Sequence, residues 1–250
     1  MPTENVKPDF DRDGFVVIHD FLPPNDLHEL QRNLDRYIHD VVPKLPDTDA
    51  FYEDRSNPST LKQLQRMSRD PFFAAYRQNP TWVALAETLL GEPAQADEPE
   101  WFNKPPGTNH VTPPHQDNFY FCLTPPHVLT IWLALDHVDA ENGCLRYVAG
   151  SHLAGFRPHA RSKILGFSQG ITDYTADDFT RELAALLKPG DAVAHAGMTI
   201  HRADANLSVT RHRRSFALVF KGASCRRDQA AYDRYLVSSR AQHQEFGLNA

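Results

Sequence analysis

Leu129-Thr130-Ile131-Trp132-Leu133-Ala134-Leu135-Asp136 alternates long aliphatic residues with threonine, tryptophan and alanine at a period of two. Successive side chains of a strand point to opposite faces, so this stretch reads as a strand over Leu129 to Val138 with one aliphatic face and a second face that is also largely apolar. A strand covered on both faces belongs between layers of structure. Downstream, Glu141-Asn142-Gly143 is a turn signal, and Cys144 to Val148 reads as the returning strand of a hairpin. Pro189-Gly190 introduces a further strand over Asp191 to His195, and Ser215 to Phe220 alternates again. From Gly91 onward the chain is built of short β-branched and aromatic segments separated by Pro and Gly turns.

The first third follows a different period. Phe15-Val16-Val17-Ile18 reads as a strand, and Pro23-Pro24-Asn25 announces a helix capped by Asn25. Leu27, Leu30, Leu34, Ile38 and Val41 recur at three- and four-residue steps, which gives that helix one buried stripe. A second helix is expected over Thr81 to Leu90, stopped by Gly91. Residues 43–80 mix Pro, Asp, Ser and Asn with scattered apolar positions and read as loop with broken helix. The expected fold is mainly β with flanking helices, an α+β domain whose strands close into a barrel or sandwich. One domain over 1–250 is predicted: a helical part about 1–95, a barrel about 96–222 and a tail over 223–250.

Composition narrows the function classes. A hydrophobic share of 41% with 23% charged residues is that of an ordinary globular chain. The net charge of −6 argues against a nucleic-acid partner, because phosphate binding needs a basic surface and the one dense basic run is Arg211 to Arg214. Cys122, Cys144 and Cys225 have no CxxC spacing, which excludes a thiolate zinc site and an even disulfide framework. With no apolar leader at the N-terminus and no run of 18 apolar residues, a cytoplasmic protein without a membrane partner is expected.

The chemistry gathers at Pro113-Pro114-His115-Gln116-Asp117. In an extended segment residues i and i+2 project to the same side, about 6.6 Å apart along the chain, so an imidazole and a carboxylate there converge on one ion. A third donor must come from a distant segment, and Gly190-Asp191-Ala192-Val193-Ala194-His195-Ala196-Gly197-Met198-Thr199-Ile200-His201 offers two, His195 and His201. Two histidines and one carboxylate leave three positions of an octahedral ion open, the arrangement of non-heme iron(II) oxygenases. A 2-oxo acid can chelate there beside dioxygen, and its distal carboxylate then requires a cation. The Arg211-His212-Arg213-Arg214 run supplies planar bidentate candidates. Two other classes share the donor set: a cupin-like metal or small-molecule binding protein without turnover, and a zinc hydrolase.

Several ordered blocks together resemble the phytanoyl-CoA dioxygenase-like family of iron(II)- and 2-oxoglutarate-dependent oxygenases, over about residues 10–220. They are Asp13-Gly14-Phe15-Val16-Val17, Lys104-Pro105-Pro106-Gly107, Thr112 to Asp117, Leu129 to Asp136, Glu141 to Arg146, Gly150-Ser151-His152, Pro189 to His201 and Asn206-Leu207-Ser208. The resemblance implies a double-stranded β-helix of the jelly-roll or cupin-like kind. It implies His115, Asp117 and His201 as iron ligands, with His195 beside the iron as a packing or supporting residue. Trp132 resembles an aromatic residue lining the cosubstrate pocket, and Lys104 a residue near the pocket mouth. The family's cosubstrate arginine usually follows the distal ligand by eleven positions, where this chain has His212. A one-residue insertion brings Arg213 into register, with Arg211 and Arg214 as alternatives. The implied reaction couples dioxygen reduction and decarboxylation of 2-oxoglutarate to succinate and carbon dioxide with hydroxylation of an unactivated C–H bond of a small molecule, with ascorbate as the reductant in vitro. Retention of Asp117 argues against halogenation. The primary substrate and the oligomeric state are left open.

Overall fold

In the computed structural model, which describes residues 6–164 and 167–245, the Leu129 alternation becomes the strand Val128–Ala134, buried at every position. It lies in an eight-stranded sheet running Phe15–Ile18, Ala192–Ala196, Val128–Ala134, Arg213–Gly222, Glu100–Lys104, Leu61–Leu64 and Ala50–Tyr52, with Ala94–Ala96 paired to the far end of Arg213–Gly222. A smaller sheet, Glu182–Ala185, Leu145–Val148, His201–Ala203 and Thr112–His115, is also antiparallel. The architecture is mainly β with flanking helices.

The two faces of Val128–Ala134 bury against different layers. Leu129, Ile131 and Leu133 join Phe216, Leu218 and Phe220 in a core shared with the helices, where Leu27, Leu30 and Leu34 of Pro24–Asp40 and Trp82, Leu85 and Leu89 of Pro80–Leu90 are packed. Trp82 is fully buried, and truncating such a residue to alanine costs roughly 3–5 kcal/mol. Trp132, Ala134 and Ala217 point the other way, into a second core with Leu145, Tyr147 and Ala203 of the smaller sheet. The site lies in this layer between the sheets.

Five expectations change. The first long helix begins at Pro24 with Pro23 at its cap and no side-chain cap bond, so Asn25 lies inside the first turn. Proline at the first position lacks an N–H to be capped and already has helical φ. The second helix starts at Pro80, capped by the Asn79 side chain, and ends as expected at Gly91, which has φ +74°. Residues 43–80 hold two strands, Ala50–Tyr52 and Leu61–Leu64, paired with each other, and the helix Pro71–Tyr76; strands of three and four residues are too short to show a period. The turn at Glu141-Asn142-Gly143 forms but does not close a hairpin. Leu145–Val148 pairs with Glu182–Ala185 and His201–Ala203, because both edges of Val128–Ala134 are taken by Ala192–Ala196 and Arg213–Gly222. The turn therefore carries the chain from one sheet to the other. Finally, the segment expected as a tail contains the helix Gln229–Glu245.

No helix among the described residues is long and apolar enough to cross a membrane.

Candidate active site

His115 ends the strand Thr112–His115 and lies directly opposite His201, the first residue of His201–Ala203. Strand pairing, not chain proximity, therefore brings the two imidazoles together, with ring centroids 4.2 Å apart. Asp117 reaches them differently from the i, i+2 strand geometry expected. The strand stops at His115, and Asp117 has αR geometry (φ −56°, ψ −37°) at the start of the short helix Asn118–Phe121. Gln116 drives that turn: its buried amide donates to the carbonyls of Gly155 and Met198 while its oxygen accepts from Arg157 N–H, so the backbone is fixed on both sides of it.

Asp117 Oδ1 lies 3.5 Å from His115 Nε2 and 3.6 Å from His201 Nε2. These three residues form a cluster whose donor atoms all lie within 4.8 Å of one another. The tautomers follow from the remaining bonds. His115 donates Nδ1–H to the carbonyl of Pro113 at 2.8 Å and His201 donates Nδ1–H to that of Thr199 at 3.0 Å, which leaves both Nε2 lone pairs facing Asp117 Oδ1. Burial and the adjacent imidazoles of His115 and His195 hold His201 well below the usual imidazole range, so it stays neutral. Burial alone would raise the Asp117 carboxyl; the surrounding histidines, His201 foremost and then His115 and His195, outweigh it and hold the group well below the usual carboxylate range.

The second oxygen, Oδ2, accepts from Thr130 Oγ at 2.8 Å and from His195 Nε2 at 3.1 Å. His195 Nδ1 lies 3.0 Å from the hydroxyl of Tyr147, which burial keeps protonated, so Tyr147 donates and His195 presents its proton to Asp117. Both His195 nitrogens are thereby engaged. Sequence reading left Tyr147 and Thr130 unnoticed; Thr130 had the one available signal, a hydroxyl on the strand face it shares with Trp132 and Ala134.

The three donor atoms open on a cavity of about 100 Å³ lined also by Trp132, Arg202 and Arg213. Arg213 begins the strand Arg213–Gly222, is 5% exposed and pairs with no carboxylate among the described residues; its Nε is buried without a partner there, and its guanidinium lies 5.3 Å from the centre of the Trp132 ring. Burial pushes it down to about 10, still cationic near neutrality. Arg211 and Arg214 are committed elsewhere, to Asp139 and Glu141 and to Asp136 respectively. Two positions along the same face, Ser215 Oγ is fully buried and also lacks a partner, a group that sequence reading passed over. Lys104 is not at a solvated mouth. It is 5% exposed, opposite Arg213 in register, and donates to the carbonyls of Asp204, Ala203 and His110 at 2.6, 3.4 and 3.3 Å. Burial and Arg213 push its ammonium down to about 6.

The donor set fits a divalent ion that accepts two imidazoles and a carboxylate, and the unpaired Arg213 fits a carboxylate in the same cavity. The sequence matches the family model of phytanoyl-CoA dioxygenase (PhyH) over residues 10–215. The chain belongs to this family. Among its relatives is the peroxisomal phytanoyl-CoA dioxygenase of Homo sapiens, 24% identical over 230 residues, covering 86% of this chain and 67% of the human protein. Solved folds agree. The epimerase SnoN from nogalamycin biosynthesis, in complex with Fe3+, alpha ketoglutarate and nogalamycin RO, superposes with a TM-score of 0.72 at 22% identity, covering 89% of this chain and 84% of that one. EvdO2 from Micromonospora carbonacea var. aurantiaca, complexed with 2-oxoglutarate, gives a TM-score of 0.69 at 24% identity, covering 88% and 91%. The fold is thus that of 2-oxoglutarate-dependent oxygenases, and because one such neighbour is an epimerase, family membership alone does not select hydroxylation.

Proposed function

We propose that the protein holds iron(II) through His115 Nε2, Asp117 Oδ1 and His201 Nε2, binds 2-oxoglutarate with its distal carboxylate on Arg213, and hydroxylates an unactivated C–H bond of a small molecule. The observation that carries this reading is Arg213: a buried, unpaired guanidinium sharing one small cavity with three converging donor atoms. A buried charge is retained only where a partner compensates it, and none of the described residues is that partner. Bound iron would supply the oxidising chemistry with dioxygen as the oxidant, one oxygen atom passing to succinate as 2-oxoglutarate loses carbon dioxide and the other to the C–H bond.

The remaining residues bind, orient and exclude. Arg213 offers a planar fork to a carboxylate, and Trp132 fixes it from one side through its ring face. Ser215 Oγ places a further donor along the same face. Lys104, opposite Arg213 in register, donates to the backbone carbonyls of Asp204, Ala203 and His110 and so holds the chain around Arg213. Thr130 and His195 hold Asp117 Oδ2, so that Oδ1 is presented alone. Succinate formation from 2-oxoglutarate, followed with iron(II) and ascorbate across a panel of small molecules, tests the reading. Slow turnover without substrate and a hydroxylated product with one are expected; a protein that forms no succinate under any condition is a binding protein.

A further inference from the structure

A second cavity, of about 580 Å³, shares Phe102, His115, Asp117 and Thr130 with the first and gives the primary substrate its room. One part of its wall is aromatic, with Phe121 and, from the helix Gln229–Glu245, Tyr232 and Tyr235. Another is polar and comes from the larger sheet. Glu100 lies opposite Ala217 and next to Trp101; Trp101 is packed in the helical core, so alternation turns Glu100 and Phe102 to the cavity.

Among the described residues nothing pairs with the Glu100 carboxylate. Its charged neighbours are Asp117, Asp97 and Glu98, all acidic, and Arg66, which lines the same cavity but whose guanidinium is held by Asp49 and the carbonyl of Thr48. A divalent ion on Asp117 and a dianionic 2-oxo acid on Arg213 would cancel one another, which leaves Glu100 with no counter-charge. Arg213 and Glu100 are thus two unpaired ionisable groups of opposite sign, one in each cavity.

We propose that Glu100 recognises the primary substrate and that this substrate is a small molecule carrying a cationic nitrogen, a reading that rests on the function proposed above. An anionic headgroup would meet Glu100 with no free cation beside it, and a purely apolar ligand would leave the carboxyl unsatisfied. Burial and the charge of Asp117 push Glu100 up to about 8, so the empty cavity holds it largely protonated near neutrality. A cation brought against it draws the proton off.

The probes are 1-hexylamine, 1-hexanol and hexanoate, titrated calorimetrically at pH 7 into the protein loaded with Mn(II) and 2-oxoglutarate. The amine is expected to bind at least about tenfold tighter than the other two and to release a measurable fraction of a proton, read from the dependence of the heat on buffer ionisation enthalpy. Glu100→Gln, which is nearly isosteric, removes both the preference and the proton release, whereas Glu100→Asp keeps part of each. Equal affinities, no binding by the amine, or an amine preference that survives in Glu100→Gln overturns the inference. Succinate formation by the unmodified protein without any probe is measured in parallel. Its absence here and across the whole panel of small molecules with iron(II) refutes the proposed oxygenase function, while its presence without an amine preference refutes the substrate class alone.

Discussion

His195 Nε2 lies 3.1 Å from Asp117 Oδ2, on the carboxylate oxygen that does not face His115 and His201. One carboxylate thus has two separate duties: Oδ2 is anchored to the larger sheet through His195 and Thr130, and Oδ1 is aimed at the imidazoles of the smaller sheet. The relationship assigns different consequences to three neighbouring histidines.

His115→Ala and His201→Ala are expected to abolish metal binding, each removing one of three donors. His195→Ala, which removes only an orienting bond, is expected to weaken the metal by about 10- to 100-fold. The check is the rise in thermal midpoint on adding Mn(II), which for the unmodified protein at a hundredfold excess over Kd corresponds to about 2.7 kcal/mol. A His195→Ala protein that no longer responds beside a His201→Ala protein that does would exchange the two roles.

Arg213→Ala is expected to weaken 2-oxoglutarate by about 2–5 kcal/mol, the loss seen on truncating one side of a buried charge pair, or on the order of 30- to 3,000-fold. Metal affinity should barely move. Arg213→Lys recovers part, keeping the charge without the fork. Arg211→Ala and Arg214→Ala cost less than about tenfold, since each arginine is already paired with carboxylates away from the cavity. Calorimetric titration of 2-oxoglutarate ranks the three, and a silent Arg213→Ala would move the assignment to a neighbour.

Asp117→Gly is expected to keep metal weakly through the two imidazoles and to lose hydroxylation. It also strips Thr130 and His195 of their shared acceptor, a penalty of about 1–3 kcal/mol in a buried site. Product analysis together with denaturant unfolding separates the two effects; hydroxylation at the unmodified rate would show that Asp117 is not a ligand.

Gly143→Ala is expected to destabilise the fold without touching the site's donors. Gly143 has φ +92°, and a Cβ there would lie 2.7 Å from the carbonyl oxygen of Asp204, backbone that cannot step aside. A cost of about 1–3 kcal/mol lowers the midpoint of a chain this size by roughly 2–4 °C per kcal/mol. Gly107→Ala, at φ +72° with nothing within 4 Å, should cost less in the same melt.

The amino-acid sequence by itself determined the class of fold, because alternation with both faces apolar at Leu129 to Leu135 requires a layer on either side. It also supplied the donor types, His-Gln-Asp after two prolines and a histidine closing a distant segment. Three things waited for the tertiary structure. The partner of Leu145–Val148 could not be read from a turn signal, because pairing depends on which strand edges are already filled. The separate tasks of Asp117 Oδ1 and Oδ2 depend on Tyr147, His195 and Thr130; Thr130 and His195 lie 13 and 78 residues from Asp117 in sequence and meet it only on folding. The difference among Arg211, Arg213 and Arg214 is one of burial and partner: in one run of four residues two arginines pair with carboxylates nearer the surface, while Arg213, at an inward-facing position of the Arg213–Gly222 strand, is cut off from water and has no carboxylate partner among the described residues.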